Sequence, residues 1–442
     1  MRSRLRASSI ILISALAAAA CSGTETDATS GSAKSACAPT QGKVELTFTS
    51  WIPEIQSVVE AWNAKNPNVQ VKVQTGPAGN AGTYQNFSNQ LKAGNAPDLG
   101  QVEYDTLPSF RVQDGLTDLG GCDIVMKAKD QFVEWTWNQV SFGEQGSAFG
   151  VPQDAGPMAM FYRKDLFEKN GIKVPTTWQE YADAAAKVKQ TGGYITNFSQ
   201  VDINQFAGMA WQAGGHWFAN DGNAWSVTFT DPATTKVADY WQDLINRKLV
   251  SAVPPWTPEW NNAYNSDKAW TWVSAVWGAN TIATGAPKTA GKWAVAPMPQ
   301  WNAGEASAGN WGGSSTVVFK GSKHPYEAAQ FALWLNTSEE ALTLLNQKAN
   351  LYPATKAGAQ LPALKKGVEF YGGQPIYDVF AEASGQVKPD FVWGPTMTKT
   401  YTDASDGFKA AVSGKGTLGE ALKSAQDSTI ATLKSQSIPV KE

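Results

Sequence analysis

Hydrophobic and polar positions change period twice near the start of the chain. The segment "VELTFTS", which begins at Val44, places apolar side chains at every second position, as is typical of a strand with one buried face. Between residues 52 and 62, apolar side chains recur at steps of three and four, which predicts a helix that ends at "NPN". The segment "VQVKVQT" then alternates again. This order of strand, helix and strand predicts the opening of an α/β sheet.

Capping patterns predict where later helices begin. Thr177, Thr337 and Thr417 each stand three residues before a glutamate, which is the spacing of a capping box. Asp231, directly before Pro232, suits an N-cap with proline in the first turn. Short apolar segments such as "DLGQV" and "TVVFK" lie between the helical segments and predict strands. Helices and strands mixed over most of the chain predict two α/β lobes.

Length and charge narrow the class of protein. The chain has 442 residues, which exceeds what one hydrophobic core normally serves, so two domains are expected. Its 42% share of hydrophobic residues suits a globular protein. The formal charge is -3, and acidic and basic residues are interspersed without a basic patch. We therefore expect no nucleic-acid partner.

The first twenty residues differ from the rest of the chain. Arg2, Arg4 and Arg6 precede "IILISALAAAA", an apolar run that ends in small residues and is too short to cross a bilayer. This pattern predicts a signal peptide over residues 1–20 and export from the cytoplasm.

Cys21 follows three alanines, and this junction resembles the lipobox of bacterial lipoproteins, in which the cysteine is lipidated. The branched residue that usually stands three positions before the cysteine is absent, so cleavage without a lipid stays open as the alternative. Residues 21–43 are small, polar and free of aromatic side chains, which predicts a flexible tether. The resemblance implies anchoring to the outer face of the cell membrane.

The other cysteines and the histidines bear on disulfide and metal chemistry. With Cys21 lipidated, Cys37 and Cys122 form an even pair in an oxidising compartment, and the sequence leaves open whether they are bonded. His216 and His324 are the only two histidines and lie far apart in sequence. We therefore predict no metal site and no cofactor.

Tryptophan is concentrated in one part of the chain. Twelve of the nineteen tryptophans lie between Trp211 and Trp311. Such rings stack on pyranose faces, while carboxylates and amides bind the hydroxyls, so the composition favours a sugar ligand. Most of the rings are still expected in the core. In "KAWTWVSAVWGAN", Trp270 and Trp272 share one face of a predicted strand and are expected to pack the lobe behind Trp277.

In α/β sheets, ligands bind beyond the carboxyl ends of the strands, and this rule selects three positions. Trp51 follows "VELTFTS", Asp105 follows "DLGQV", and Trp277 closes "TWVSAV". Each has a structural alternative. The first would pack against the helix that it precedes, the second would cap a helix, and the third would belong to the core.

Three long segments carry a resemblance to a known family; they begin "AFGVPQDAGPMAMFYRKDLF", "APDLGQVEYDTLPSF" and "VAPMPQWNAGEASAGNWGG". From about Val44 to the C-terminus, the chain resembles the family 1 extracellular solute-binding proteins of bacterial carbohydrate ABC transporters. The resemblance implies a type II periplasmic-binding-protein-like fold, in which two α/β lobes are joined by a hinge of several crossings. It places residues 44–153 and 313–358 in an N-terminal lobe, and residues 154–312 and 359–442 in a C-terminal lobe.

The resemblance also implies a function. A sugar or oligosaccharide would bind between the lobes, and the closed protein would deliver it, chemically unchanged, to an ABC permease in the membrane. The protein itself would act as a monomer and hold no nucleotide. Two alternatives stay open: a secreted glycoside hydrolase that uses carboxyls of the same cleft, and the same fold binding a solute other than a sugar.

Four residues inherit ligand contacts from the resemblance. Asp105 matches an acidic residue that binds sugar hydroxyls, and Trp277 matches an aromatic residue that stacks on a sugar ring. Asp202 and Asn204 lie where relatives use an acid and a neighbouring aromatic residue, and this chain lacks that aromatic residue. The departure implies a different sugar and puts the role of Asn204 in doubt.

Further candidates lie late in the chain and at the hinge. Trp393 and Tyr401 compete for a late stacking position that the family implies. Polar groups and glycines at the first two lobe crossings would reach a ligand in either lobe. These hinge candidates are Gln153, Asp154, Asn310, Trp311, Gly312 and Gly313. The alternative is that Asp154 caps a turn and that the glycines only bend the chain.

Overall fold

The computed structural model describes residues 37–441. The signal peptide predicted over residues 1–20, the lipidation predicted at Cys21 and the first part of the predicted tether lie outside these residues. Within residues 37–441, no helix is long and apolar enough to cross a membrane.

Ten β-strands in three sheets lie within the described residues. The strands are β1 (Val44–Ser50), β2 (Val69–Thr75), β3 (Leu99–Glu103), β4 (Val151–Pro152), β5 (Met158–Arg163), β6 (Phe218–Asn220), β7 (Trp225–Val227), β8 (Thr271–Ala275), β9 (Trp293–Ala296) and β10 (Ser314–Val318).

The same part of the chain forms sixteen α-helices. The helices are α1 (Ile55–Lys65), α2 (Thr83–Ala93), α3 (Leu107–Val112), α4 (Asp123–Ala128), α5 (Glu134–Ser141), α6 (Lys164–Lys169), α7 (Trp178–Gln190), α8 (Ile203–Ala213), α9 (Pro232–Asn246), α10 (Pro258–Asn265), α11 (Gly278–Gly285), α12 (Pro325–Thr337), α13 (Glu339–Ala349), α14 (Ile376–Gln386), α15 (Met397–Val412) and α16 (Leu418–Ser435).

The predicted opening of strand, helix and strand is confirmed. In β1, Val44, Leu46 and Phe48 are buried and alternate with more exposed residues, as a strand with one core face requires. The helix α1 buries the face that its apolar spacing predicted, from Ile55 to Trp62, and it ends directly before the "NPN" segment. The strand β2 covers the whole of "VQVKVQT" and pairs with β1 in parallel.

Five strands form the first sheet, in the order β2, β1, β3, β10 and β4. β1 runs parallel to both β2 and β3, whereas β10 enters antiparallel between β3 and β4. The helices α1 and α12 pack on this sheet, and α13 packs on both of them. Residues from the start of the chain and from its second half thus share one hydrophobic core.

The second sheet has the order β8, β5 and β9, and both outer strands pair with β5 antiparallel. The helix α14 packs on β5 and β9. The helix α15 contacts α8, and α16 contacts α9, so helices far apart in sequence pack together. A separate hairpin pairs β6 with β7. The two larger sheets, each with its own helices, make two α/β lobes, which confirms the predicted fold class.

Three chain segments run side by side between the two larger sheets. Isolated β-bridges join Asp154 to Pro353 and Pro157 to Asn310. The backbone N–H of Trp311 donates to the carbonyl of Gly156, and that of Ala155 donates to the carbonyl of Tyr352. The chain therefore passes between the sheets as a hydrogen-bonded ribbon of three segments.

Two predicted capping boxes are confirmed. The side chain of Thr177 accepts the backbone N–H of Glu180 at the start of α7, and the glutamate reaches back to the N-cap backbone. Thr417 and Glu420 make the same reciprocal pair at the start of α16. In both places the local sequence alone satisfies the first free N–H groups of the helix.

A third capping prediction is wrong by one residue. Thr337 is the last residue of α12, and Ser338 is the N-cap of α13, where its side chain accepts the N–H of Ala341. Serine is a better N-cap than threonine, and Thr337 still belongs to the helix that precedes it, so Ser338 takes the N-cap position. The cap predicted at Asp231, before Pro232, is confirmed by two N–H groups that donate to its carboxylate.

The predicted tether is shorter at its C-terminal end than the sequence indicated. Cys37 and Cys122 form a disulfide with their Cα atoms 4.9 Å apart. The backbone N–H and hydroxyl of Thr40 donate to the two carboxylate oxygens of Glu327, at 2.5 and 3.1 Å. Residues 37–43 are therefore attached to the first lobe, because a crosslink and a helix residue hold them there.

Candidate functional site

The first sheet brings most of its predicted site residues to one edge. β1 and β3 are parallel, so Trp51 and the segment 103–105 follow strand ends at the same edge. β10 is antiparallel, and Ser314 pairs with Glu103, so residues 310–313 reach this edge immediately before β10 begins. β4 ends there as well, directly before Gln153. The strand directions alone thus gather four distant parts of the chain.

The second sheet presents a matching edge. Met158 at the start of β5 pairs with Ala275 at the end of β8, and β9 also ends on this side. Trp277 follows two residues after β8 and lies at the N-terminal end of α11. The ribbon between the sheets enters β5 at the same edge, so the two lobes face each other across it.

A cleft of about 420 Å³ opens between these two edges. Its lining includes three carboxyl groups, two amide side chains and three aromatic rings. The lining residues are Asn80, Glu103, Asp105, Val201, Asp202, Ile203, Asn204, Trp256, Trp311 and Tyr401. Five of them were singled out from the sequence: Asp105, Asp202, Asn204, Trp311 and Tyr401. A second hollow of about 500 Å³ adjoins the cleft and shares Asp105 with it.

Asp105 links the two lobes at the centre of the cleft. Its Oδ2 accepts hydrogen bonds from Asn204 Nδ2 and from the hydroxyl of Tyr401, each at 3.0 Å. Its Oδ1 accepts from Thr106 Oγ1 at 3.0 Å. The carboxyl group lies directly after β3, whereas its two cross-cleft donors stand on α8 and α15. The buried Asp105 side chain therefore forms direct hydrogen bonds between the two lobes.

Glu103 is held by Tyr84 on the same side of the cleft. The Tyr84 hydroxyl donates to Glu103 Oε2 and accepts the Glu103 backbone N–H, both at 2.9 Å. Burial, and then the charge of Asp105, raises the pKa of Glu103 to about 8, although the Tyr84 hydrogen bond opposes this rise. The ring of Trp51 packs edge-on against Tyr84, with the centroids 5.6 Å apart. Trp51 therefore supports the cleft from behind and does not line it.

Burial affects the other carboxyl groups in and near the cleft in the same direction. Burial raises the pKa of Asp105 and of Asp154, and it raises the pKa of Asp202 to about 6. The charge of Asp105 adds to the effect at Asp202. Four acidic groups thus lie close enough together to disfavour one another's ionised forms. Residues 37–441 contain no group of three or more His, Cys, Asp or Glu side chains placed to hold a metal ion.

Trp256 is the aromatic residue of the cleft that the sequence analysis missed. Its side chain is 52% exposed, and its backbone φ of 67° is in the left-handed region that bulky residues rarely adopt. Its ring lies 5.9 Å from Trp277 and 6.5 Å from Trp311, between centroids. A strained backbone that holds a large ring open to a cleft is typical of binding sites. The two prolines before it, at 254 and 255, were the available signal.

Trp277 stands behind the cleft wall. Its indole N–H donates to the backbone carbonyl of Trp311 at 3.1 Å, and the two rings meet edge-on with centroids 4.5 Å apart. Trp311 and Trp256 line the cleft, and Trp277 is not among the lining residues. Trp270 and Trp272 are 3% and 2% exposed, which confirms that they pack the lobe.

The polar hinge candidates bind groups of the ribbon between the lobes, although Gln153 Nε2 is buried without a hydrogen-bond partner. The Oδ1 of Asn310 accepts the N–H of Gly156 at 2.9 Å. The Oδ1 of Asp154 accepts the N–H of Ser314 at 2.8 Å, and Gln153 Oε1 accepts from the Ser314 hydroxyl at 3.2 Å. These three side chains serve the ribbon between the lobes and do not line the cleft. The reason is that a buried ribbon must find partners for its polar groups within the protein.

Glycines 312 and 313 are required by the backbone. Their φ angles are +82° and +94°. A Cβ on Gly313 would lie 2.8 Å from the Tyr104 ring and 3.0 Å from the carbonyl oxygen of Asp154, so any larger residue would have to move that ring or the ribbon. The two glycines shape the turn that presents Trp311 to the cleft.

The two late aromatic candidates are separated by the structure. Tyr401 lines the cleft and donates to Asp105. Trp393 is 3% exposed and packs edge-on against Phe391, with its ring centroid 6.4 Å from that of Tyr401. It faces a different hollow, of about 220 Å³, which also borders Tyr104. The structure thus brings only Tyr401 to the cleft.

Comparison with known proteins gives the family. The family model described as bacterial extracellular solute-binding protein matches residues 48–342. The arabinooligosaccharide-binding protein of Bacillus subtilis is 25% identical over 400 residues, which cover 87% of this chain and 89% of that protein.

Two solved structures with bound sugars are similar to the whole described fold. The galacto-N-biose-/lacto-N-biose I-binding protein of the ABC transporter from Bifidobacterium longum, in complex with lacto-N-biose, has a TM-score of 0.80 at 27% identity, covering 91% of this chain and 100% of that one. The ABC transporter associated binding protein from B. animalis subsp. lactis Bl-04, in complex with β-1,6-galactobiose, has a TM-score of 0.74 at 28% identity, covering 90% and 100%. The family model matches well over half of this chain, so the chain belongs to the bacterial extracellular solute-binding protein family.

Proposed function

We propose that this chain is the sugar-binding component of a bacterial carbohydrate ABC importer. The observation that carries the proposal is the cleft, where the rings of Trp256 and Trp311 stand beside the carboxyl groups of Asp105 and Asp202. Aromatic faces stack on the apolar side of a sugar ring, and carboxylates accept hydrogen bonds from its hydroxyl groups. The combination suits a sugar or a short oligosaccharide.

The comparisons support this class of ligand. Both similar solved structures hold a disaccharide, lacto-N-biose in one and β-1,6-galactobiose in the other. The B. subtilis relative binds arabinooligosaccharides, and a lactose-binding protein of Rhizobium radiobacter is 26% identical over 403 residues. These ligands differ in linkage and stereochemistry, so they support the class of ligand and leave its identity to experiment.

The mechanism is closure of two lobes over the ligand. We place residues 44–153 and 313–358 in one lobe, and residues 154–312 and 359–442 in the other, because each set contributes one of the two larger sheets. Asp105 already accepts hydrogen bonds from the opposite lobe, so a sugar that bonds both sides stabilises the closed arrangement through its greater affinity for it. The ribbon between the sheets serves as the hinge.

The side chains divide into those that touch the sugar and those that position them. Trp256 stacks on the sugar, Trp311, which is 5% exposed, forms the wall beside it, and the polar lining residues bind the hydroxyls. Trp277 positions Trp311 through its indole hydrogen bond. The remaining candidates shape the hinge or the wall; they are Trp51, Gln153, Asp154, Asn310, Gly312, Gly313 and Trp393.

The cellular arrangement follows from the proposed function. The signal peptide over residues 1–20 exports the chain, and a lipid on Cys21 holds it at the outer face of the membrane. The closed monomer then docks on an ABC permease and releases the sugar unchanged, so the protein is a binder and not an enzyme. The disulfide between Cys37 and Cys122 fits an oxidising compartment.

Titration of the purified chain tests the proposal. We expect saturable binding of lacto-N-biose, β-1,6-galactobiose, lactose or an arabinooligosaccharide, followed by tryptophan fluorescence and by calorimetry. Trp256→Ala should weaken that binding about tenfold, because a stacked ring contributes on the order of 1 to 1.5 kcal/mol. Tyr326→Ala, which alters a partly exposed aromatic residue on α12, is the matched control. Failure of every saccharide to bind, or accumulation of new reducing ends over hours, would refute the proposal.

A further inference from the structure

All charged residues that line the cleft are acidic. Glu103, Asp105 and Asp202 face it, and the other lining residues carry no charge. Asp154 lies behind them, close enough to raise the pKa of Glu103. None of the ion pairs in the described part of the chain includes any of these four carboxyl groups. Their hydrogen-bond donors are neutral: hydroxyl groups, an amide, backbone N–H groups and, at Asp202, the Trp311 side chain.

An acceptor without a donor lies at the centre of the cleft. Asn204 Nδ2 and the Tyr401 hydroxyl both donate to Asp105. The Oδ1 of Asn204 is buried and has no hydrogen-bond partner, so it is an acceptor without a donor. The amide oxygen of Asn80 accepts from the Thr398 hydroxyl at 3.0 Å, which leaves the amide N–H groups of Asn80 available to a ligand. A donor group on a ligand finds the three carboxyl groups and Asn204 Oδ1 as acceptors.

The exposed ring of Trp256 adds a third observation. Its indole is the most exposed large hydrophobic side chain among the described residues, and the face of such a ring attracts cations. An ammonium group is a donor of three hydrogen bonds and accepts none, whereas carboxylate and phosphate groups only accept. Surroundings that attract an ammonium group therefore repel carboxylate and phosphate groups.

We propose that this cleft selects saccharides by charge, favouring one that carries a protonated amine and excluding those that carry a carboxylate or a phosphate. The inference rests on the proposed function and names the ligand class for the same cleft. The ammonium group lies among Glu103, Asp105 and Asp202, donates to their oxygens and to Asn204 Oδ1, and stands near the face of Trp256.

Binding of the amine has a consequence for protons. Because burial and the charge of Asp105 raise the pKa of Glu103, the free protein holds a proton on this group more tightly than on an ordinary carboxyl group. A cation placed beside the carboxyl group favours its ionised form, so the proton leaves to solvent when the amine binds. A neutral sugar carries no such charge and releases fewer protons. The number of protons released, measured by calorimetry in buffers of different ionisation enthalpy, thus separates the two.

Collisional quenching measures the charge of the cleft without any sugar. Caesium, iodide and acrylamide are compared on the fluorescence that Trp256 contributes, taken as the difference between the chain and its Trp256→Phe variant. We expect caesium to quench this fraction at least threefold more strongly than iodide, and Glu103→Gln with Asp202→Asn to remove the preference. Glu369→Gln with Asp130→Asn, at two exposed acidic positions, is the matched control and should preserve it. Equal quenching by the two ions in the unaltered chain overturns the inference, whether or not the double variant folds.

Matched disaccharides test the selection itself. The probes are the β-1,4-linked disaccharide of glucosamine, cellobiose, and the corresponding disaccharide of glucuronic acid, at pH 7. We expect the amine to bind at least tenfold more tightly than cellobiose and the acid not to bind. Cellobiose binding as tightly as the amine, or any binding of the acid at similar strength, overturns the inference alone. If neither these probes nor the neutral sugars of the earlier titration bind, the proposed function fails and the inference fails with it.

Discussion

Two buried charged sites in this protein are built on opposite principles. Arg163, at the end of β5, is fully buried and donates to Asp165 at 2.7 and 2.8 Å and to Asp267 at 2.5 Å. Burial lowers its pKa, but the hydrogen bonds to the two aspartates outweigh burial and raise it overall. The carboxyl groups of the cleft, by contrast, have only neutral donors and one another, and their pKa values rise.

The contrast shows what each site is for. The buried charge of Arg163 is paired with two carboxylates of the fold, and these ion pairs hold β5 to the neighbouring segments. A buried charge that lacks a counter-charge is costly to keep unless a ligand supplies the missing interaction. The cleft therefore retains a cost in stability that binding relieves, whereas the arginine site does not. Variants at the two sites should separate stability from binding.

Removing the arginine should have the largest effect on stability. Arg163→Met leaves Asp165 and Asp267 without their cation and removes a packed side chain, which costs roughly 3 kcal/mol of the free energy of unfolding. The cost stays at the low end because the two aspartate side chains are 36% and 55% exposed and can be hydrated. Urea denaturation measures it, and sugar affinity should be unchanged. A loss below about 1 kcal/mol would contradict the contrast.

Neutralising the central carboxyl group of the cleft should have the opposite pattern. Asp105→Asn keeps an acceptor for Tyr401 and Asn204 but removes the charge, so the fold should be as stable as before or more so. Sugar affinity should fall roughly 30-fold, because a hydrogen bond to a charged group contributes about 2 kcal/mol. Calorimetric titration beside urea denaturation measures both quantities. Thr106→Val, which removes only the donor to Oδ1, is the control and should weaken binding less.

Much of the fold could be predicted from local pattern. The alternation in β1 and β2, the apolar face of α1 and the capping boxes at Thr177 and Thr417 depend on neighbours within a few residues, and such signals survive in the sequence. The cap predicted at Thr337 failed because two adjacent hydroxyl residues compete, and the end of α12 chooses between them. Strand order in the first sheet depends on β10, which comes from more than 200 residues later than β3.

The cleft was predictable only in part, for a related reason. Asp105 follows a strand end, so a rule about sheets found it. Trp256 lies in no regular element, and its exposure depends on a left-handed backbone and on the packing of neighbouring rings, which no local period records. Gln153 and Asn310 were expected at the ligand because they are polar and near the crossing. Both side chains instead accept hydrogen bonds from the ribbon between the lobes. Segments from distant parts of the chain meet there and bury them.

The pH dependence of the free energy of unfolding should also distinguish the cleft from the arginine site. This effect should be smaller than those of Arg163→Met and Asp105→Asn. The pKa of Glu103 rises from 4.5 to about 8 on folding, so the folded chain binds the proton more tightly than the unfolded chain. The free energy of unfolding should therefore be greatest below pH 4.5 as far as this group decides it, and should fall as pH rises toward 8. One such group contributes at most about 1.4 kcal/mol per pH unit.

Glu103→Gln tests this dependence directly. Denaturation at pH 5.5 and pH 8.5 should show a smaller loss of stability in the variant than in the unaltered chain, while Glu369→Gln should behave as the unaltered chain does. An identical pH dependence in all three proteins would show that Glu103 ionises freely in the fold. Glu103 would then already be ionised at neutral pH, and the proton release expected on binding of an amine would not come from this group.

The smallest effect should come from the outer partner of the arginine. Asp267 is 55% exposed and makes one hydrogen bond to Arg163, whereas Asp165 makes two. Asp267→Asn should lower the free energy of unfolding by less than about 1 kcal/mol, and the difference should shrink in 1 M salt because exposed charges are screened within about 3 Å there. The effect of Glu103→Gln should shrink less in the same salt, since desolvation, which salt does not screen, is the largest cause of the raised pKa of Glu103. If salt abolished both effects equally, the cleft carboxyl groups would be as open to solvent as Asp267, and the distinction between the two sites would disappear.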